Sequence, residues 1–363
     1  MSIGAGKTAL ITGASSGIGH ELAKLFAKDG YNLVLVARSE EKLGQLGGEL
    51  WDTHGVETTV IAKDLSEEDA ALDVYNQVKE KGITVDVLVN DAGVGLYGMF
   101  ATETDWEKEK ALIHLNVLTT TEMTKLFLKD MVARNEGKIL NLASLVSVTP
   151  MPLMAVYAAT KAYVLSFTQS LINELKDTNV TVTALMPNAT DTDFFNKAGA
   201  QNTKVTEQLD NAAMVAKDGY TALMKGSSKV IPGGLVNKGY EIMSYLAPHE
   251  ATAAMMRKNM EPKAEPKSEE DKSAVWTWGI GLAVLAVAGV ALAVAYNNTT
   301  PADRVRYRYK AGKLKAGLAS KTKGAYSDAE DVVNHGWENV KDVLANAKDL
   351  VSNAKDVVKH AMN

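Results

Sequence analysis

Residues 8–19 read TALITGASSGIG, a short apolar run, Thr8 to Ile11, that passes directly into Thr12-Gly13-Ala14-Ser15-Ser16-Gly17-Ile18-Gly19. Behind the loop, Leu22, Leu25 and Phe26 recur at helical spacing. Strand, glycine loop and helix in that order are the context a dinucleotide-binding motif requires. Gly13 permits the tight turn, Gly17 lets backbone approach a pyrophosphate, and Gly19 lets the helix pack on the strand. The helix N-terminus then offers free N–H groups to phosphate. The spacing is G-x-x-x-G-x-G rather than G-x-G-x-x-G.

Working outward, residues 32–37 form the second strand, and its end selects the cofactor. An acidic residue there would bond the ribose 2′-hydroxyl of NAD, whereas Ala37 is followed by Arg38, which accommodates a 2′-phosphate. NADP(H) is therefore expected. Residues 40–51 read as a helix and 57–62 as the third strand, with Asp64 at that strand's end near an adenine position. Residues 69–81 make another helix. Residues 85–89 form the fourth strand, ending in the polar turn Asn90-Asp91-Ala92-Gly93. Residues 106–131 read as one long helix in which Asn116 lies among apolar neighbours. A buried amide is costly unless bonded, and its plainest role is to tie two chain segments together.

The next stretch, GKILNLASLVSVTPMPLMAVYAATK (residues 137–161), reads as strand, loop and helix start. Ile139, Leu140, Leu142 and Ala143 suit a parallel strand covered on both faces, and Ser144 falls at its end. In open α/β sheets ligands bind at the carboxyl ends of strands, so that hydroxyl is placed to meet a carbonyl or alcohol oxygen. Tyr157 and Lys161, four apart, share one helix face. An ammonium beside a phenol favours phenolate, so the tyrosine is expected to fall from about 10 towards the working range of a general acid/base. Tyr75 with Lys79 and Tyr309 with Lys313 match the same spacing but have no strand-end serine upstream, and they read as solvated helix residues.

Residues 180–185 form the sixth strand, ending in Pro187-Asn188-Ala189-Thr190-Asp191-Thr192. Residues 194–208 are small and polar apart from the anchors Phe194 and Phe195, a composition that suits a mobile lid. Residues 214–224 read as a helix and 229–231 as an edge strand. Residues 94–100 and 145–156, rich in Val, Leu, Met and Tyr, would flank a pocket for an apolar carbonyl or alcohol substrate.

With the glycine loop, Asn90-Asp91-Ala92-Gly93, Asn116, Ser144, Tyr157 and Lys161 in order, residues 1–260 resemble the short-chain dehydrogenase/reductase family, closest to its DltE-like bacterial oxidoreductases. The resemblance implies a Rossmann-type α/β fold, a doubly wound seven-stranded parallel sheet with helices on both faces, and a homo-oligomer. It also implies a catalytic tetrad of Asn116, Ser144, Tyr157 and Lys161. Tyr157 would pass the proton, Ser144 orient the carbonyl, Lys161 hold the ribose, and Asn116 position a water. Gly13, Ser15, Ser16, Gly17, Ile18, Gly19, Arg38, Asp64, Asn90, Ala92, Gly93, Tyr157, Lys161, Pro187, Thr190 and Thr192 would line the cofactor. Two positions depart from the family pattern. Asp91 replaces the second asparagine of Asn-Asn-Ala-Gly, and Asn188 replaces the glycine of Pro-Gly. Asp91 sets a carboxylate near the site, which would alter cofactor affinity.

Composition narrows the classes. The 363 residues, 46% of them hydrophobic, hold one large domain plus appendages, and a net charge of −5 gives no sign of nucleic-acid affinity. The absence of cysteine excludes disulfides, thiolate metal sites and cysteine nucleophiles, and the six histidines lack metal-ligand spacing, so no metal is expected. The N-terminus carries no apolar signal region, which places the first domain in the cytosol.

Beyond it, residues 261–273 form a Glu-, Lys- and Pro-bearing linker. Residues 274–296 carry no charge, and as a helix they would measure roughly 35 Å, enough for a hydrocarbon core of about 30 Å. Trp276, Trp278 and Tyr296 lie at the ends, as interfacial aromatics do. A single-pass membrane anchor with a cytoplasmic catalytic domain follows. The tail, 297–363, opens with Arg304, Arg306, Arg308 and Lys310, whose charge would draw it to the cytosol and conflicts with that orientation. It ends in Asn-x-Lys-Asp units at 339, 346 and 353 with an apolar helical stripe, suited to a helix partner or a membrane surface. Two functions are expected: a membrane-anchored NADP-dependent oxidoreductase, or a membrane scaffold whose dehydrogenase-like domain binds nucleotide without catalysis.

Overall fold

The computed structural model describes residues 3–263 apart from Ala247. The apolar segment 274–296 and the tail 297–363 lie outside the described residues, as do positions 264–273 of the linker.

Six apolar runs become strands: β1 (Thr8–Thr12), β2 (Asn32–Ala37), β3 (Thr58–Ala62), β4 (Val87–Asn90), β5 (Gly137–Leu142) and β6 (Val180–Leu185). With the short edge strand β9 (Lys229–Val230) they form a seven-stranded sheet in the order β3-β2-β1-β4-β5-β6-β9, every pairing parallel. Alternate residues serve opposite faces. Ile11, Leu33, Leu35, Val87 and Val89 pack with helices α1 (Gly17–Lys28), α2 (Glu40–His54) and α8 (Ala212–Met224). Leu10, Val34, Val36, Leu88 and Ile139 pack with α3 (Ala70–Glu80), α5 (Thr120–Ala133) and α6 (Ala155–Glu174). Both faces are covered, which is why these strands read as continuous apolar runs. Burying each such aliphatic side chain contributes about 1.5–3 kcal/mol.

β1 lies between β2 and β4, so connections leave it in opposite directions and a crevice opens at the carboxyl ends of β1 and β4. α1 begins at that crevice. Its first turn holds no acidic residue and the Ser16 side chain makes no capping bond, so the helix does not satisfy its own N-terminal donors with a side chain there. α2 differs: Ser39 accepts from Lys42 N–H, and Glu40 and Glu41 occupy its first turn.

Three features depart from the sequence expectation. The single helix expected over 106–131 is α4 (Trp106–Ile113), a π-turn (His114–Thr119) and α5, with Asn116 inside the π-turn. Such single-turn interruptions recur at functional sites. Residues 194–208, expected as a mobile lid, form α7 (Phe194–Ala198) and a 3₁₀ turn (Lys204–Glu207) between two-residue strands β7 (Thr190–Asp191) and β8 (Asp210–Asn211). Hydrogen bonds hold the segment down: Tyr97 N–H to Ala198 O at 2.9 Å, Lys204 N–H to Glu261 O at 3.2 Å, and Lys263 N–H to Asn202 O at 2.7 Å. Finally, residues left unassigned by pattern form α9 (Gly234–Leu246) and α10 (His249–Met260), the latter burying Thr252, Met256 and Met260 at four-residue intervals. No helix among the described residues is long and apolar enough to cross a membrane.

Candidate active site

The glycine loop is held tightly from beneath. Gly13 has φ +72°, and a Cβ there would lie 3.0 Å from Ala92 N, while one on Gly19 would lie 2.8 Å from Gly13 O and 2.5 Å from Asp91 Oδ2. No side chain fits at Gly19 without displacing backbone. Gly17, φ +63°, sits against Thr192, whose Cγ2 is 3.0 Å from the Cβ position. Ser15 is half-buried, Ser16 exposed and Ile18 buried in the core. The Thr12 hydroxyl donates to Val89 O at 3.2 Å and accepts from Asp91 N–H and Ala92 N–H at 3.1 Å each, fastening the end of β1 to the end of β4.

The turn residues divide by role. Asn90 is buried and donates to Thr124 Oγ1 at 3.0 Å and to Asn141 Oδ1 at 2.9 Å, so its amide is spent tying β4 to β5 and α5. Asp91 holds a buried Oδ1 that has no hydrogen-bond partner. Burial pushes its carboxyl up to about 7, against the pull of Lys161 and the Gly19 N–H. A Cβ on Gly93 would lie 3.2 Å from Asn116 Oδ1 and 3.4 Å from Lys161 Nζ, so this glycine leaves room for both. At the end of β2, Arg38 is exposed and pairs with Asp64 at 3.7 Å. Burial works against the Asp64 charge, but hydrogen bonds from Ser66 and the Arg38 guanidinium outweigh it and hold the carboxyl below its ordinary value.

The four residues of the expected tetrad converge at the carboxyl end of β5. Ser144 caps a 3₁₀ turn (Leu145–Val148), its Oγ accepting from Val146 N–H at 3.3 Å and donating to Pro187 O at 3.4 Å. Its N–H donates to Ser147 Oγ at 3.1 Å, and Ser147 Oγ donates to Lys161 O at 2.9 Å, so strand end and helix are locked together. Asn116 accepts from Val94 N–H at 3.0 Å and donates to Val94 O at 2.9 Å and Thr160 Oγ1 at 3.1 Å, tying three segments. Lys161, only 5% exposed, donates from Nζ to Leu142 O at 2.8 Å and lies 5.8 Å from the Tyr157 ring centroid.

These positions correct the expected titration. Burial drives Lys161 down to about 8, opposed by Asp91. Burial also drives the Tyr157 phenol up to about 12, with only the Ser144 hydroxyl facing it acting in the opposite sense. The ammonium is committed to a backbone carbonyl, and desolvation of the phenol dominates. Of the remaining expected positions, Pro187 O accepts from Ser144 Oγ and, at 2.8 Å, from Leu145 N–H. Thr190 is buried and its hydroxyl donates to Asn188 O at 2.8 Å.

The rest of the surroundings is apolar. Tyr157 packs on Phe194 with centroids 5.1 Å apart, and a Cβ on Gly95 would meet Phe194 Cζ at 2.6 Å and Met154 Cε at 2.7 Å. Met151, Met154, Phe195, Met256 and Met260 form the buried part of this cluster, with Tyr97 and Tyr240 packed against it. Tyr97 Oη donates to Met260 O at 2.8 Å, which fixes the end of α10. Tyr97, Val146, Met151, Leu153 and Met154 from the expected flanks 94–100 and 145–156 join this cluster, and Tyr240, Met256 and Met260 join it from outside them. The four-residue recurrence of Thr252, Met256 and Met260 was the available signal.

The short chain dehydrogenase family profile matches residues 7–203. The chain is 37% identical to the very-long-chain 3-oxoacyl-CoA reductase of Anas platyrhynchos over 190 residues, 51% of this chain and 60% of that one. It is 36% identical to the 17-beta-hydroxysteroid dehydrogenase type 3 of Homo sapiens over 192 residues, 52% and 60% respectively. Among solved structures it resembles a short-chain dehydrogenase from Sphingobium yanoikuyae in complex with NADPH, with TM-score 0.60 and 29% identity over 73% of this chain and 99% of that one. The chain belongs to the short-chain dehydrogenase/reductase family. It spans about three fifths of the length of the curated relatives it matches. These relatives carry the family rather than its DltE-like branch.

Proposed function

We propose that the protein is an NADP-dependent short-chain oxidoreductase that reduces a bulky, apolar carbonyl compound. The observation that carries the reading is the meeting of Ser144, Tyr157 and Lys161 at the end of β5, beside a glycine cradle that a Cβ would fill and within a methionine-rich wall. The residues present fit the cofactor. Gly13, Gly17 and Gly19 leave backbone room, the first turn of α1 carries no acid of its own and offers N–H donors besides that of Gly19, which faces Asp91, and Arg38 stands at the end of β2 where a 2′-phosphate needs a cation.

NADPH bound there supplies the hydride. The chain's own residues do the rest. Tyr157, held protonated by burial, donates its proton to the carbonyl oxygen, and a phenol near 12 suits the acid of a reduction better than the base of an oxidation. Ser144 Oγ hydrogen-bonds the same oxygen and orients it. Lys161 carries a charge below about pH 8 and holds the ribose. Asn116 keeps the Val94 backbone and the Tyr157 turn in register through Thr160. The wall of Met151, Met154, Met256 and Met260 excludes water, and its unbranched thioethers adapt to a large apolar substrate. The relatives named above for 3-oxoacyl-CoA and hydroxysteroid chemistry support that substrate class, and the DltE-like affinity is kept as a finer placement within the family.

The domain division proposed is a catalytic unit over residues 1–260, a linker, a single membrane-spanning segment over 274–296 and an amphipathic tail. The uncharged segment and its flanking aromatics support attachment to the cell membrane, with the catalytic unit on the cytosolic side where soluble nicotinamide cofactors are found. A homo-oligomer completes the reading. The test is fluorescence titration of the full chain with NADPH and NADH, followed by NADPH oxidation across long-chain and polycyclic ketones. Tighter NADPH binding that Arg38→Ala reduces about tenfold, with turnover of large ketones, is the expected result. Binding without turnover on any carbonyl would favour the scaffold reading instead.

A further inference from the structure

Asp91 stands where β4, the glycine loop and α6 meet. Its N–H is fixed by the Thr12 hydroxyl at 3.1 Å. Its Oδ2 lies 2.9 Å from the Cβ position of Gly13 and 2.5 Å from that of Gly19, so the carboxyl fills the inner side of the loop. Its Oδ1 is buried and meets no donor. Among the described residues the charged group that faces it is Lys161, from α6, while the loop and α1 bring only the Gly19 backbone N–H. The Lys161 ammonium is itself bonded to Leu142 O, so it attracts the carboxylate without capping that oxygen.

On the outer side of the same loop, at Gly17 and the first turn of α1, the reading above sets the cofactor phosphates. A phosphate and a carboxylate would then approach the same loop from opposite sides, in a medium that screens poorly. Like charges so placed disfavour ionisation of the weaker acid. Protonation relieves the repulsion and removes the charge from an oxygen that has no donor. We propose that Asp91 is a positioning residue whose carboxyl takes up a proton as NADPH binds the glycine loop, so that cofactor affinity is tied to pH through this side chain.

The inference rests on the cofactor reading above, and its sign is fixed. Below about pH 7 the free protein already holds the proton and affinity is flat. Above it the proton must come from solvent, and affinity falls by up to about tenfold per pH unit. The fold carries the same linkage. The carboxyl sits above its ordinary 3.8, so the stability it permits at low pH is lost as pH rises from that value to about 7.

Isothermal titration of NADPH into the full chain and into Asp91→Asn, at pH 6.5, 7.5 and 8.5 in two buffers of different ionisation enthalpy, provides the test. Proton uptake by the wild type at pH 7.5, largely absent in Asp91→Asn, together with a flatter pH profile of affinity in the variant, is expected. Comparing the two proteins cancels the cofactor's own phosphate titration. Equal uptake in both overturns the proposal while leaving the cofactor reading intact. Failure of both to bind NADPH overturns the two together. Should Asp91→Asn not fold, the carboxyl ¹³C shift of Asp91 in labelled wild type replaces it: movement to the protonated position on adding NADPH supports the proposal, and an unmoved shift overturns it.

Discussion

The chain carries the Tyr-x-x-x-Lys spacing on α3 as well as on α6, and the helix gives both pairs the same internal geometry. Lys79 Nζ lies 5.8 Å from the Tyr75 ring centroid and Lys161 Nζ 5.8 Å from that of Tyr157. Their surroundings divide them. On α3, Tyr75 Oη and Lys79 Nζ both donate to Asp130 Oδ2, at 3.0 and 3.1 Å, and that hydrogen bond raises the lysine above its ordinary value. On α6 the ammonium is buried, bonded to a neutral carbonyl, and brought down to about 8. Spacing sets which side chains share a face, but burial sets how differently the two pairs titrate.

The comparison is broken most severely at the phenols. Tyr157→Phe is expected to lower kcat for NADPH-dependent ketone reduction by about 10³-fold, within the range of a lost general acid, with NADPH affinity changed little. Tyr75→Phe is expected to leave kcat unchanged. Equal losses in the two variants would remove the distinction. At the lysines the difference lies in pH. Lys161 loses its proton as pH rises through about 8, so kcat/KM in the wild type should decline above that point. Lys161→Arg, if it retains measurable activity, should remain charged and lose that alkaline limb, because a guanidinium stays protonated. A Lys79→Arg variant should keep the wild-type profile. The smallest effect is on stability. Asp130→Asn cuts the partner of the α3 pair, and since Lys79 is half exposed the cost in chemical denaturation should be no more than about 1 kcal/mol, with activity untouched.

Much of the fold was legible because its strands are apolar runs covered on both faces and Gly13 and Gly19 of its first loop sit where a Cβ has no room. Thr8 to Gly19, Ser144, Tyr157 and Lys161 were found from local pattern, and the structure brings them to one sheet edge. What escaped depended on distance or environment. The π-turn was invisible because Leu112, Asn116, Thr120, Met123, Phe127 and Met131 are buried at steps of three and four, as in an uninterrupted helix. Met256 and Met260 reach the cluster around Tyr157 across about a hundred residues of chain, a contact no local period encodes. The direction of the Tyr157 shift was misjudged because spacing counts charges and says nothing of burial. Arg38 and Asp64 were each placed at the cofactor end, but their pairing was a matter of tertiary geometry.

The seam between positions 202–204 and 261–263 bears on where the folded unit can be cut. Thr203 bridges Pro262, and the Lys204 ammonium pairs with Glu261 at 3.3 Å. Lys263, the last described residue, is therefore held in a stitched edge beside the methionine cluster rather than at a free end of α10. A fragment ending at Met260 would discard the partners of Asn202, Thr203 and Lys204, whereas one ending at Lys263 keeps the hem intact.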